Sequence, residues 1–169
     1  MKTIYLAGGC FWGVQQFIRQ IDGVLATETG YANGKTENPT YEQVKYWGTG
    51  HAETVRIDYD ERVLPTRELL EYYFLAIDPT SVNKQGPDVG VQYRTGIYYV
   101  DADQKADAEA SLAALSAKLG QPLAVECCPL EQFFPAEEYH QDYLIKNPAG
   151  YCHIPRDLIK KVKLKQKEE

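Results

Sequence analysis

The chain has 169 residues, 44% apolar and 25% charged, the balance of an ordinary globular domain long enough to bury a core without staples. Its net charge is -6, with a pI near 5.1, which argues against nucleic acid as a partner, because phosphate binding needs a basic surface. No run of about 18 apolar residues occurs, so no membrane span is expected.

The start, MKTIYLAGGCFWG, lacks the apolar stretch and small-residue cleavage site of an export signal. A cytoplasmic location is therefore expected, where Cys10, Cys127, Cys128 and Cys152 rest as thiols. Thr3 to Ala7 reads as a strand, and Gly8-Gly9 as a turn. Val14, Phe17, Ile18 and Ile21 follow at helical spacing, so a helix begins close to Cys10 and stops at Gly23. Val24 to Tyr31 reads as a strand, and residues 32–50 as a long loop of the kind that carries function. Thr54 to Asp60 alternates as a half-buried strand. Thr66 is placed to cap a helix carrying Leu69, Leu70, Tyr73 and Ile77. A second long loop covers Asp78 to Val91, and Tyr93 to Val100 is a strand. Asp101 with Gln104 has the spacing of a capping box for an Ala-rich helix ending at Gly120. Leu123 to Cys127 reads as a strand, Ala136 to Lys146 as a helix, and the chain from Asn147 onward as coil.

This order is β-α-β-β-α-β with further pieces, which favours an α+β fold over a doubly wound sheet. The expected architecture is a two-layer α/β sandwich. It has a ferredoxin-like core, a mixed sheet and a long C-terminal coil. Residues 1–169 are read as a single catalytic domain, with its core at about residues 3–146 and the coil at 147–169.

Cys10 draws attention for physical reasons. Two glycines precede it, so the backbone can turn and present the side chain. A helix N-terminus favours an anion, which predicts a lowered thiol pKa. Phe11 and Trp12 follow, an apolar wall suited to a small apolar group. The competing reading of these residues alone is a buried core cysteine.

The ordered set GGCFWG at Gly8 to Gly13, GYANG at Gly30 to Gly34, NPTYEQV at Asn38 to Val44 and GTGHAETVRI at Gly48 to Ile57 resembles the class A peptide-methionine sulfoxide reductases. DPT at Asp78 to Thr80, DVGVQYRTGIYY at Asp88 to Tyr99 and EEYHQDYL at Glu137 to Leu144 continue the resemblance, which spans roughly positions 3 to 153. It implies that Cys10 attacks the sulfoxide sulfur and that Phe11 and Trp12 hold the substrate methyl. It further implies that Glu53 donates a proton, Tyr41 and Tyr93 bind the sulfoxide oxygen, and Asp88 helps place the substrate. Relatives usually carry Asn before that aspartate, where this chain has Pro87, which leaves the geometry of the loop open.

The chemistry needs such residues independently. A sulfoxide oxygen leaves only when protonated, and a carboxyl group can donate near neutral pH only if burial raises its pKa. Tyr hydroxyls supply neutral donors. Attack leaves a sulfenic acid, which a second thiol converts to a disulfide. The resemblance implies that Cys152, in NPAGYC, is that second thiol; Cys127 and Cys128 stay open as alternatives. Relatives often carry Cys after Val44 and another near the C-terminus; here Lys45 and KLKQKEE stand instead, so a one-step relay from Cys10 to Cys152 is expected.

The expected partners are thioredoxin and oxidised proteins or free methionine sulfoxide; the resemblance implies the S epimer, and a monomer is expected. No cofactor is expected beyond an external dithiol, thioredoxin or dithiothreitol. No metal is expected either: His51, His140 and His153 with the cysteines match no zinc spacing, and His51 and His140 are read as structural hydrogen-bonders. Two rival classes are a cysteine hydrolase with Cys10 activated by histidine, and a non-catalytic peptide-binding module using Phe11 and Trp12.

Overall fold

A computed structural model describes residues 1–150. Six strands form one mixed sheet in the order β7-β6-β1-β3-β2-β8. These are β1 (Lys2–Gly8), β2 (Val24–Ala32), β3 (Ala52–Tyr59), β6 (Thr95–Tyr99), β7 (Glu126–Pro129) and β8 (Phe133–Pro135). Among the described residues only β6 with β7 is a parallel pair; the other neighbours run antiparallel. A two-stranded ribbon, β4 (Lys84–Gln85) with β5 (Asp88–Val89), stands apart from it.

Period-2 alternation divides the sheet into two faces. Ile4 and Leu6 of β1, and Val55, Ile57 and Tyr59 of β3, point into the main core. Against them pack α1 (Phe11–Ile18), through Phe11, Val14, Phe17 and Ile18, and α3 (Thr66–Leu75), through Leu69, Leu70 and Tyr73. Ala7, Ala32 and Ala52 lie on the opposite face with Tyr98. Tyr73 of α3 donates its hydroxyl proton to the Ala7 carbonyl of β1. Among the described residues no helix is long and apolar enough to cross a membrane.

Several elements depart from expectation. The loop after β2 contains a helix, α2 (Tyr41–Tyr46), started by a capping box of Thr40 and Gln43. Pro65, not Thr66, is the cap position of α3; the Thr66 hydroxyl instead meets Tyr59 Oη at 2.6 Å and Glu61 at 3.1 Å. Helix α4 (Ala102–Leu119) begins with half of the expected box. Asp101 accepts the Gln104 N–H, but the buried Gln104 amide turns to Thr3 O and Val100 N. Tyr93 sits in a short 3-10 turn, Val91–Tyr93, ahead of β6.

The helix expected over 136–146 is broken into a 3-10 turn, Glu138–His140, and a short α5 (Tyr143–Lys146). Tertiary hydrogen bonds outcompete helix propensity there. The Gln141 side chain accepts from Thr29 N at 2.9 Å and donates to Thr29 O at 2.9 Å. Gln15 takes the Asp142 N–H at 2.9 Å, and Asp142 adopts φ +51. Strand β8 was not legible in the sequence. The expected C-terminal coil beyond residue 150, with Cys152 and His153, lies outside the described residues.

Candidate active site

Strand register brings the first two groups together. Ala7 of β1 pairs with Thr54 of β3, so the exit of β1 meets the entry of β3, where Glu53 faces the helix side. Gly9, at φ +87, turns the chain into α1, a conformation that costs glycine nothing. Cys10 is then the N-cap residue of α1. Glu53 Oε1 accepts the Phe11 N–H at 3.2 Å, so the carboxyl group sits against the same helix end as the sulfur.

Glu53 is 2% exposed, and burial pushes its pKa up to about 8. The Asp88 charge pushes the same way, while the Phe11 N–H and Lys45 oppose it. At neutral pH the group is a carboxylic acid and can donate. The expectation for Cys10 is overturned. Burial, at 7% exposure, and the neighbouring Glu53 push its thiol well above the ordinary range. The N–H groups of Trp12 and Gly13 bond the sulfur and pull the other way without winning. The helix end is present, but desolvation exceeds it, so the free protein holds a thiol.

Two tyrosines face this pair. Tyr41, the first residue of α2, is half-buried, and Tyr93 is buried. Each hydroxyl is pushed above its ordinary pKa by burial first, and then by Glu53; Cys10 adds to both. Both are therefore neutral donors. Asp88 acts electrostatically on Cys10, Glu53 and Tyr93. Pro87 leaves the aspartate in place: Gly86, at φ +57, and Pro87 form the two-residue turn between β4 and β5. Glycine first with positive φ is what such tight hairpins require, and the second position accepts the proline ring.

Phe11 is almost fully buried, its ring 5.7 Å from Tyr31 and 5.2 Å from His140. Trp12 is half-buried and stacks on Tyr143 at 3.8 Å and 10°. Its Nε1–H donates to His140 Nδ1 at 2.9 Å. His51 bonds Thr49 Oγ1 at 2.9 Å and Gln132 Oε1 at 2.6 Å, so both of its ring nitrogens serve the loop. His51 and His140 thus spend these bonds away from Cys10. Among the described residues no His, Cys, Asp and Glu side chains group as a metal set.

Cys127 and Cys128 take opposite faces of β7: Cys127 packs on the main core and Cys128 on the second cluster. Cys128 lies opposite Tyr98, itself opposite Tyr5. Two strand spacings and the residues from Tyr5 to Cys10 put it on the order of 15–20 Å from the nucleophile position. A disulfide needs Cα atoms within about 7 Å, so neither cysteine of this strand reaches Cys10 without unpairing β7.

Other contributors were not singled out in the sequence. Glu137 accepts from Tyr31 Oη at 2.8 Å and from Tyr41 N at 3.0 Å, holding the start of α2. Arg94 donates to Gly50 O at 3.0 Å, Val91 O at 3.0 Å and Asn33 O at 3.3 Å, pinning the loops around Tyr93. The Lys45 ammonium lies 5.7 Å from the Tyr41 ring centre. Glu137 lies in the EEYHQDYL segment and Arg94 in the QYR segment, so the motifs held the only signal for these two.

A thiol, a protonated carboxyl group and two phenols converging beside aromatic rings define a cysteine-centred site with its own proton donors. The family model of peptide methionine sulfoxide reductase matches residues 2–169, and the chain belongs to that family. A peptide methionine sulfoxide reductase MsrA of Lachnoclostridium phytofermentans is 58% identical over 153 residues, covering 90% of this chain and 92% of the relative. Reduced Mxr1 of Saccharomyces cerevisiae superposes with a TM-score of 0.85 at 38% identity, over 89% of this chain and 88% of that one. Mxr1 in complex with Trx2 matches at 22% identity and a TM-score of 0.57, over 84% of each chain, a likeness of fold alone.

Proposed function

We propose that the chain reduces methionine S-sulfoxide, free or in proteins, to methionine, with Cys10 as nucleophile and Glu53 as general acid. The observation that supports the assignment of roles is a carboxyl group, 2% exposed, bonded at 3.2 Å to the Phe11 N–H of the helix that Cys10 caps, where burial raises its pKa. As the sulfur attacks, the sulfoxide oxygen needs a proton, and Glu53 is the group able to give it. Tyr41 and Tyr93 donate hydrogen bonds to that oxygen as charge develops. Phe11 and Trp12 wall the methyl group, and Asp88 places the substrate.

In sum, thiol and sulfoxide give sulfenic acid and thioether. Cys152 then condenses with the sulfenic acid, releasing water and forming a disulfide. A dithiol reduces it, and the yeast relative's complex with Trx2 supports thioredoxin in that role. Sulfur supplies both the nucleophile and the electrons, so the cycle is written without a prosthetic group. The placement of Cys127 and Cys128 supports Cys152 as the resolving thiol. We further assign the fold as ferredoxin-like, on the order β6-β1-β3-β2 and its antiparallel pairing, and read the protein as a cytoplasmic monomer.

The test is turnover on each purified sulfoxide epimer with dithiothreitol and then with thioredoxin. The S epimer gives methionine, with one dithiol oxidised per product. Product formed without dithiol consumption would mark a hydrolase instead. Unchanged behaviour of Cys10→Ser would mark a binding module.

A further inference from the structure

We propose that His140 is a positioning residue for the substrate pocket: its imidazole accepts the Trp12 indole N–H at Nδ1 and fixes the angle of the ring that walls the methyl site. This rests on the reading of Trp12 as that wall. The geometry carries it. Indole nitrogen can only donate, so the 2.9 Å contact requires a bare lone pair on Nδ1 and puts the ring proton on Nε2. The imidazole is 1% exposed and lies among the rings of Phe11 at 5.2 Å, Tyr41 at 4.6 Å and Tyr139 at 4.1 Å. One side chain thus touches both aromatic walls and one of the oxygen-binding phenols.

A second observation separates this from simple packing. His140 Nε2 is buried without a hydrogen-bond partner among the described residues. An orphaned buried N–H is unfavourable, so a side chain kept only for stability would be apolar here. The imidazole is retained for what Nδ1 does. Trp12 needs that help because its other face contact, the stack on Tyr143, allows the rings to slide in their shared plane. The hydrogen bond removes that freedom. Placing an aromatic wall matters for binding because the methyl site makes its apolar contacts only when the wall stands at the right angle.

Two variants divide the functions of the ring. His140→Phe keeps the aromatic packing and loses the acceptor. His140→Asn keeps an acceptor near the Nδ1 position and loses the ring. Trp12 and Trp47 are the two tryptophans of the chain, so their indole N–H resonances are readily assigned. His140→Phe is expected to move the Trp12 indole resonance upfield while Trp47 stays. It also raises KM for methionine S-sulfoxide about 2- to 10-fold, the range of one neutral hydrogen bond, with kcat retained. His140→Asn is expected to keep the resonance and to restore most of the KM. In the unaltered protein, nitrogen shifts of His140 should show the proton on Nε2. An Nδ1–H tautomer, an unmoved Trp12 resonance in His140→Phe, or equal KM in both variants overturns the proposal. If the unaltered chain fails to reduce the sulfoxide, the functional reading falls, while the resonance measurements still decide the role of His140.

Discussion

Glu53→Gln should leave the protein more stable at neutral pH and nearly inactive. The carboxyl group titrates at about 8 in the folded chain, against an ordinary value of 4.5. Between those limits the folded state holds a proton that the unfolded state has lost, so stability falls as pH rises through the window. At pH 7 the gap above 4.5 is 2.5 units, which makes the cost on the order of 3 kcal/mol at 1.36 kcal/mol per unit. A glutamine amide is close to isosteric and carries no such cost, and its oxygen can still accept the Phe11 N–H. At about 2–4 °C per kcal/mol for a chain of this size, Tm should rise by roughly 6–12 °C at pH 7. The gain should shrink to under about 1 kcal/mol at pH 5, only half a unit above the ordinary value of 4.5. Thermal unfolding by circular dichroism at pH 5, 6, 7 and 8 reads this directly. Turnover in the same variant should drop by about 10²–10⁴-fold, because the amide cannot give up a proton. A stability difference that is absent, or constant across that pH range, would refute the claim that Glu53 is held protonated. Unchanged single-turnover rates would refute its catalytic role.

Further outcomes follow from the same geometry. Alkylation of Cys10, followed by mass spectrometry of its peptide, should be slow at pH 7 and speed up only well into the alkaline range. Glu53→Gln should move that midpoint down, because it removes the carboxylate charge that raises the thiol; an upward move or no move would contradict the assigned cause. Cys152→Ser should form about one equivalent of methionine per enzyme and then stop recycling with thioredoxin. Normal recycling in that variant would point back to β7 and to a large rearrangement there. Arg94→Ala removes donors from Gly50 O, Val91 O and Asn33 O and the ion pair to Glu126, so it should lower stability by about 2–4 kcal/mol. Because Arg94 follows Tyr93, its loss should also raise KM; a wild-type KM would show that the loops hold without it.

How much of the site the sequence disclosed follows from the range of the interactions involved. Strand β3, with Val55, Ile57 and Tyr59 alternating inward, was legible because a half-buried strand writes its own period. The same period places Glu53 on the inward face, so the position of the acid is encoded locally once the strand is known. Its ionisation is not, because burial at 2% exposure depends on α1 and the loops packed over it. The thiol of Cys10 shows the opposite error. The helix end is a local feature and argues for a lowered pKa, yet desolvation and Glu53 are products of the tertiary fold and decide the sign. A buried acid and a buried thiol side by side need not both be ionised. With both protonated at rest, the thiol proton has to leave as the sulfur attacks, while Glu53 supplies the proton to the sulfoxide oxygen. The segment Ala136 to Lys146 is not the continuous helix its sequence suggests, because its polar side chains bond distant groups: Glu137 the Tyr41 backbone, Gln141 the Thr29 backbone, and His140 the Trp12 indole. Those bonds join residues 96 to 128 positions apart, so no spacing rule along the chain contains them. The part of the site least visible in sequence is thus the part that orients the groups most visible in it.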